Sequence, residues 1–363
     1  MTVLIAAGGT GGHVFPALAV AKRLRASGVD IHWLGTDRGL EARVTEAAGI
    51  PLTVLRGFQG VRGKGLAAWL GLPFRLMRAL RQTWALMRHL RPRAVLTFGG
   101  YVTVPAGLIG RLMGLALLTH EQNAVMGSAN RLLARWARVT CISFSPTRFA
   151  PQTAVLTGNP VRAEIAALGA SAPRISDRTG PLQVLIVGGS LGARALNQAL
   201  PFVLSALALR SPQGLSVWHQ TGPAGLEETR AAYAGRSAPG LQSVRVDAFI
   251  EDMAGAYAWA DCVVCRAGAS TVSELIEIGL PAVLIPLPSA IDDHQTANAQ
   301  AMVALGLAVC VPQTAEGFGE ALQAALSLMT RDRLAAMAQA AQPQQATERL
   351  ISLVMPYLRE RSA

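Results

Sequence analysis

Two glycine-rich turns carry the clearest chemical signal in this sequence. Residues 3–13 (VLIAAGGTGGH) pass from an apolar run through glycines into a helix that opens at His13, and residues 184–194 (VLIVGGSLGAR) repeat the pattern. Glycine at such a turn lets the backbone approach a charged ligand, while the unpaired amides and positive dipole end of the following helix attract phosphate. Polar clusters follow other apolar runs: HEQN at 120–123, GNPVR at 158–162, RAGASTVSE at 266–274 and DDHQTANA at 292–299. Ligands of open parallel sheets gather beyond the carboxyl ends of the strands, where these stretches fall. The two matched turns predict two nucleotide-type domains facing one cleft.

Spacing argues against several neighbouring chemistries. A dinucleotide fingerprint read from Gly9 finds Gly11 and then Val14 where the third glycine belongs. A P-loop fails as well, because Gly63 and Lys64 are followed by Gly65 and preceded by Phe58 in the leading position. Cys262 and Cys265 form a lone CxxC within an apparent strand, where residues three apart point to opposite faces and cannot chelate one ion together. Core packing is their expected role.

The elements that must position these residues form an α/β alternation. Apolar runs at 3–7, 31–34, 52–55, 94–98, 116–119, 139–142 and 154–156 are separated by helical patterns. A second series follows at 182–187, 216–219, 244–249, 262–265, 282–285 and 308–311. This order predicts parallel doubly wound sheets, one per series. Residues 163–181, with GASAPRISDRTGP, are small and polar and read as a linker, and residues 347–358 read as a last helix.

Composition narrows the function classes. A chain of 363 residues that is 51% hydrophobic and 15% charged can bury two cores, and disorder is not expected. The net charge of +11 calls for an anionic partner, whether nucleotide, nucleic acid or acidic lipid. Four cysteines in this length fit a reducing compartment better than a disulfide framework. Met1 leads directly into a strand, so no signal peptide is expected. The most membrane-like stretch, residues 102–118, is broken by Pro105 and Arg111, so no transmembrane helix is expected either. Residues 61–93 mix arginines with Trp69, Leu72, Phe74, Leu76, Leu80, Trp84 and Leu86 and contain no acidic residue. That mixture suits an interfacial helix on anionic lipid, or an ordinary amphipathic helix with its basic face in water.

Taken with GGTGGHVFPALAVA at 8–21, GGYVTVPAG at 99–107 and FIEDM at 249–253, the polar clusters closely resemble the MurG family. These are bacterial N-acetylglucosaminyltransferases that convert lipid I to lipid II in peptidoglycan synthesis, and the resemblance runs in order from residue 1 to about residue 299. It implies a GT-B fold of two Rossmann-like domains. Residues 1–162 would hold the acceptor and meet the membrane, residues 163–346 would bind UDP-GlcNAc, and a helix at 347–363 would cross back onto the first domain. The implied partners are UDP-GlcNAc, lipid I, an anionic membrane surface and other cell-wall synthesis and division proteins. No nucleic acid partner is implied, since no recognition motif accompanies the charge. The implied location is peripheral, on the cytoplasmic face of the bacterial plasma membrane.

The resemblance also implies roles for individual residues. Ala269, Ser270, Thr271, Val272 and Ser273 would open a helix towards the donor diphosphate, and Glu274 would accept the ribose hydroxyls, although a glutamate there also caps its helix. Ser190 and Arg162 would meet phosphate, Ile250 would border the uracil or pack in the core, and Asn123 and Gln295 would meet sugar hydroxyls and the N-acetyl group. Thr10, Gly11 and Gly12 would lie near the transferred sugar and the acceptor pyrophosphate, with Tyr101 on the acceptor side. A sugar hydroxyl needs a base to become a good nucleophile. His13 is the candidate, since histidine titrates at roughly 6.5 and the helix end favours its neutral form, and Glu121 is the substitute. His13 could instead cap the turn or hold acceptor phosphate. No metal or cofactor is expected, because the adjacent Asp292 and Asp293 are not a separated carboxylate pair and helix ends with arginine can replace a cation. Competing readings are a GT-B transferase for another lipid acceptor, a UDP-GlcNAc 2-epimerase, and a membrane-docked nucleotide-sugar binding subunit without catalysis of its own.

Overall fold

The structure, a computed structural model, describes residues 1–36, 40–57, 71–171, 175–189, 192–236, 238–313, 316–341 and 343–359. Among the described residues the strands are β1 (Thr2–Ala6), β2 (Asp30–Thr36), β3 (Leu52–Leu55), β4 (Ala94–Thr97), β5 (Ala116–Glu121), β6 (Val139–Ile142), β7 (Val155–Leu156), β8 (Leu182–Val187), β9 (Leu215–Gln220), β10 (Leu241–Asp247), β11 (Cys262–Cys265), β12 (Ala282–Leu284) and β13 (Ala308–Cys310). Every apolar run of the sequence forms one of them. The helices are α1 (Gly11–Ala26), α2 (Glu41–Ala47), α3 (Leu72–Leu90), α4 (Thr103–Leu112), α5 (Ser128–Ala134), α6 (Ala163–Ala166), α7 (Leu168–Ser171), α8 (Arg194–Ala208), α9 (Leu226–Ala234), α10 (Met253–Trp259), α11 (Ala269–Ile278), α12 (His294–Ala304), α13 (Phe318–Ser327), α14 (Arg331–Gln339) and α15 (Ala346–Arg359).

The chain divides into two compact units, residues 1–162 with 344–363, and residues 163–343. The first unit is built on a parallel sheet of order β3-β2-β1-β4-β5-β6-β7, and the second on a parallel sheet of order β10-β9-β8-β11-β12-β13. In each, strand order reverses beside the first strand of the unit, between β1 and β4 and between β8 and β11. A crevice opens at such a switch point, and it is where doubly wound sheets bind ligands.

Both faces of the first sheet are covered, so its central strands read as continuous apolar runs. On one face Val3, Ile5 and Ala7 pack with Val14, Ala17, Val20, Ala21 and Leu24 of α1. Alternate residues Leu4 and Ala6 pack on the other face with Ala79 and Met87 of α3 and Ala106 and Ile109 of α4. The last helix, α15, adds Leu350, Ile351, Val354 and Leu358 to the α1 face, and Arg23 Nε donates to Glu348 Oε1 at 2.6 Å beside it. Chain continuity therefore runs out into the second unit and back.

The linker expected at 163–181 is corrected by the structure. Those of its residues that are described belong to the second unit and carry α6, α7 and a short 3-10 turn at Ile175–Asp177, with Ile165 and Ile175 buried. Polar composition misled because the anchoring is electrostatic. Arg178 donates through Nη1 to Trp259 O (2.7 Å), Ala260 O (3.1 Å) and Asp261 Oδ1 (2.9 Å), and Asp261 Oδ2 accepts the Gln183 amide at 2.9 Å.

Within the basic stretch, residues 61–70 lie outside the described residues and the rest is largely α3. Its inner face (Ala79, Thr83, Met87) is buried, while Phe74, Met77 and Trp84 are 82%, 53% and 41% exposed beside the exposed Arg78, Arg81 and Arg88. Among the described residues no helix is long and apolar enough to cross a membrane.

Candidate functional site

In the first unit the site begins where β1 meets α1. Thr10 takes extended N-cap geometry, Gly11 and Gly12 open the helix, and His13 falls within its first turn. His13 Nδ1 lies 3.2 Å from the Gly8 carbonyl and 3.4 Å from Thr10 Oγ1. A carbonyl can only accept, so this contact puts the proton on Nδ1 and the imidazole lone pair on Nε2, the arrangement a general base needs.

Space for that ring comes from the adjacent strand. Gly99, at φ +103 after β4, would carry a Cβ 2.8 Å from His13 Nε2, and a Cβ on Gly100 (φ +86) would lie 2.4 Å from Gly8 O. The glycine pair therefore lets the two strand ends close on each other around the imidazole. Tyr101, immediately after it, is 51% exposed. Arg162, the last residue of this stretch of the unit, places its guanidinium carbon 5.6 Å from the Phe15 ring centroid on α1.

Glu121 ends β5 fully engaged, which corrects its reading as a substitute base. Its Oε1 accepts from Asn123 N (3.0 Å) and Asn123 Nδ2 (3.2 Å), and its Oε2 from Gly127 N (2.9 Å) and Asn130 Nδ2 (2.8 Å). A buried carboxylate with four donors organises the 122–127 loop and has no remaining lone pair directed at a substrate. Asn123, a predicted sugar contact, is positioned by it. Beneath the loop, Gln122 Nε2 lies 3.1 Å from His120 Nδ1 and His120 Nε2 lies 2.9 Å from Gly158 O, tying HEQN to GNPVR.

In the second unit β8 leads to Gly188 and Gly189, and Ser190 lies outside the described residues. The glycines are held by Gln220, whose Oε1 accepts from Gly189 N at 3.0 Å and whose Nε2 donates to Gly189 O at 2.8 Å. The first turn rests on a different group. A Cβ at Gly8 would meet Glu41 Oε1 at 2.7 Å, that oxygen accepts from Thr36 N (2.8 Å) and Thr36 Oγ1 (2.6 Å), and Glu41 Oε2 is buried with no hydrogen-bond partner among the described residues. The first turn is backed by the Glu41 side chain and the second by the neutral amide of Gln220. The two similar sequences thus make turns with unlike supports.

The second strand of this switch point, β11, delivers α11. Gly268 is its N-cap, so the amides of Ala269, Ser270 and Thr271 lie in the unpaired first turn, and Ser270 Oγ and Ser273 Oγ are buried without a partner among the described residues. The Val272 side chain is wholly buried and its amide donates to Gly268 O at 3.0 Å, within the helix. Glu274 Oε2 accepts from the Tyr257 hydroxyl at 3.0 Å. Ile250 is buried after β10, just ahead of Asp252, which caps α10 by accepting from Gly255 N at 2.8 Å. Gln295, on α12, accepts the Leu287 amide at 3.0 Å through Oε1, which leaves its Nε2 as a donor group.

Cys262 and Cys265 are fully buried in β11. Burial, then the charge of Asp261, pushes the Cys262 thiol up to about 12, and burial raises Cys265 too, so both stay protonated core residues. Among the described residues no group of three or more His, Cys, Asp or Glu could hold a metal ion. The sequence reading passed over Glu41, Gln220 and Tyr257, which act through contacts that no local spacing encodes. The pair Gly99–Gly100 was legible as a motif, and a glycine doublet at a strand end was the available signal.

Comparison with known proteins gives a consistent result. Residues 3–142 match the glycosyltransferase family 28 N-terminal domain, and residues 183–353 match the glycosyltransferase family 28 C-terminal domain. The UDP-N-acetylglucosamine–N-acetylmuramyl-(pentapeptide) pyrophosphoryl-undecaprenol N-acetylglucosamine transferase of Alkalilimnicola ehrlichii is 50% identical over 94% of this chain and 94% of its own length. The like-named transferase of Xanthomonas euvesicatoria is 48% identical over 97% of this chain and 80% of its own. A crystal structure of Acinetobacter baumannii MurG is similar with a TM-score of 0.81 at 41% identity, covering 98% of this chain and 99% of that one. The chain therefore has the GT-B fold and belongs to glycosyltransferase family 28, within the MurG group of N-acetylglucosamine transferases.

Proposed function

We propose that the two switch points divide one reaction, the donor on residues 163–343 and the acceptor with the base on residues 1–162. The chain is a UDP-GlcNAc-dependent N-acetylglucosaminyltransferase that moves GlcNAc to lipid I and forms lipid II. In our reading the C4 hydroxyl of the muramoyl sugar attacks the anomeric carbon of UDP-GlcNAc, and UDP leaves with inversion from α to β. His13 Nε2 takes the hydroxyl proton as the new bond forms. The unpaired amides of Ala269 to Thr271, with Ser270, Ser190 and Arg162, offset charge on the departing diphosphate. Glu274 accepts from the ribose, Ile250 borders the uracil, and Asn123 and Gln295 meet sugar hydroxyls and the N-acetyl group. Thr10, Gly11, Gly12 and Tyr101 serve the acceptor side.

The observation that carries this division is the contrast between the two switch points, an imidazole held by the Gly8 carbonyl at Nδ1 in the first unit and the open first turn of α11 with its buried Ser270 hydroxyl in the second. The exposed aromatic and basic face of α3 supports docking to an anionic membrane surface, which suits a lipid-linked acceptor and a peripheral enzyme on the cytoplasmic face. Other cell-wall synthesis and division proteins would meet it there. The test is transfer of labelled GlcNAc by the purified protein. Lipid II formed from UDP-GlcNAc and lipid I is the expected product. Transfer to diacylglycerol instead, epimerisation without acceptor, or donor binding without turnover would each contradict the reading.

A further inference from the structure

Glu274 does not stand alone at the mouth of the second unit's switch point. It is 8% exposed, and the hydroxyl of Tyr257, itself 3% exposed, donates to its Oε2 at 3.0 Å. Tyr257 sits on α10, a short helix fixed at both ends. Asp252 caps its start by accepting from Gly255 N, and Trp259 at its end meets the Trp218 ring edge-on at 5.7 Å between centroids. The same helix begins three residues after Ile250. One rigid element thus connects the apolar wall read as the uracil border with the carboxylate read as the ribose acceptor.

A buried carboxylate can rotate about its last torsion unless a donor holds it, since that terminal torsion is broad. A phenolic hydroxyl on a capped helix is such a donor, and a hydrogen bond to an ionised oxygen is stronger than one between neutral groups. We propose that Tyr257 is a positioning residue for donor binding: it fixes the plane of the Glu274 carboxylate so that the donor's ribose diol is met in one orientation, and so favours a ribonucleotide over a 2′-deoxyribonucleotide. The proposal rests on the reading of Glu274 as the ribose acceptor.

Tyr257→Phe removes one oxygen and keeps the ring in the core, so the variant should fold, and its melting temperature checks this. The expected result is a KM for UDP-GlcNAc raised about tenfold with kcat within about twofold, and a matching loss of discrimination against the 2′-deoxyuridine analogue of the donor. In a Glu274→Ala background the same change should have no further effect on KM, because Tyr257 acts through that carboxylate. An unchanged KM in Tyr257→Phe, or an equal increase in both backgrounds, overturns the proposal. If Glu274→Ala alone leaves both KM and the 2′-deoxy discrimination unchanged, the ribose reading itself falls and takes the proposal with it.

Discussion

His13 gains its chemistry from what surrounds it. A histidine after a glycine turn is ambiguous in sequence, but the Gly8 carbonyl at Nδ1 and the bare Cα of Gly99 beside Nε2 turn it into an oriented base. Gly99→Ala is therefore expected to act on catalysis as strongly as on folding. The new Cβ would displace the imidazole and force alanine to φ +103, lowering kcat by about two orders of magnitude at a stability cost of about 1–3 kcal/mol. Steady-state kinetics with a melting curve check this, and a kcat near that of the parent protein would show that the ring does not need its present position. Glu121 makes the opposite case. Glu121→Gln would present an NH₂ group to a site built of four donors, so the variant should lose about 1–3 kcal/mol of stability. Calorimetry decides: an unchanged melting temperature with abolished turnover would restore Glu121 as a base.

At the scale of elements, α3 and the end of β5 make separate predictions. The outer face of α3 joins Phe74, Met77 and Trp84 to Arg78, Arg81 and Arg88, and each arginine near an anionic surface contributes about 1 kcal/mol. Reversing all three to glutamate should therefore weaken flotation with anionic liposomes by at least about a hundredfold at low salt. Binding indifferent to acidic lipid and to salt would contradict the electrostatic part. His120, beneath the HEQN loop, is held neutral by burial, which lowers its pKa to about 4 against the opposing effect of the Gly158 carbonyl. His219 in the other sheet is lowered to about 3 for the same reason, burial. The unfolded chain takes up these protons near ~6.5, so it binds more protons than the native state at lower pH. Their contribution is complete above about pH 6.5 and is lost as pH falls towards 4, by about 3 kcal/mol for His120. Urea midpoints across that range test the sign, and His120→Asn should flatten the slope.

At the scale of the whole molecule, one architecture is used twice and made unlike by a few long-range contacts. The alternation of apolar runs and helical patterns was legible because backbone periodicity is local, and so were the motifs at the strand ends. The fold of 163–181 was not, since its anchors are carbonyls and Asp261 some eighty positions away, and Tyr257 reaches Glu274 only because α10 lies against it. Glu41 under Gly8 depends on β2 lying beside β1, which strand order fixes and spacing does not. The oriented His13 beside β1 and the open first turn of α11 beside β11 lead to the central claim, that the first unit hosts the base and the second the donor. The direct measurement is transfer of labelled GlcNAc from UDP-GlcNAc to lipid I by purified His13→Ala. Turnover should fall by about two to four orders of magnitude while the KM for UDP-GlcNAc stays within about twofold. Near-normal turnover with a raised KM for lipid I would contradict the account and make His13 an acceptor ligand.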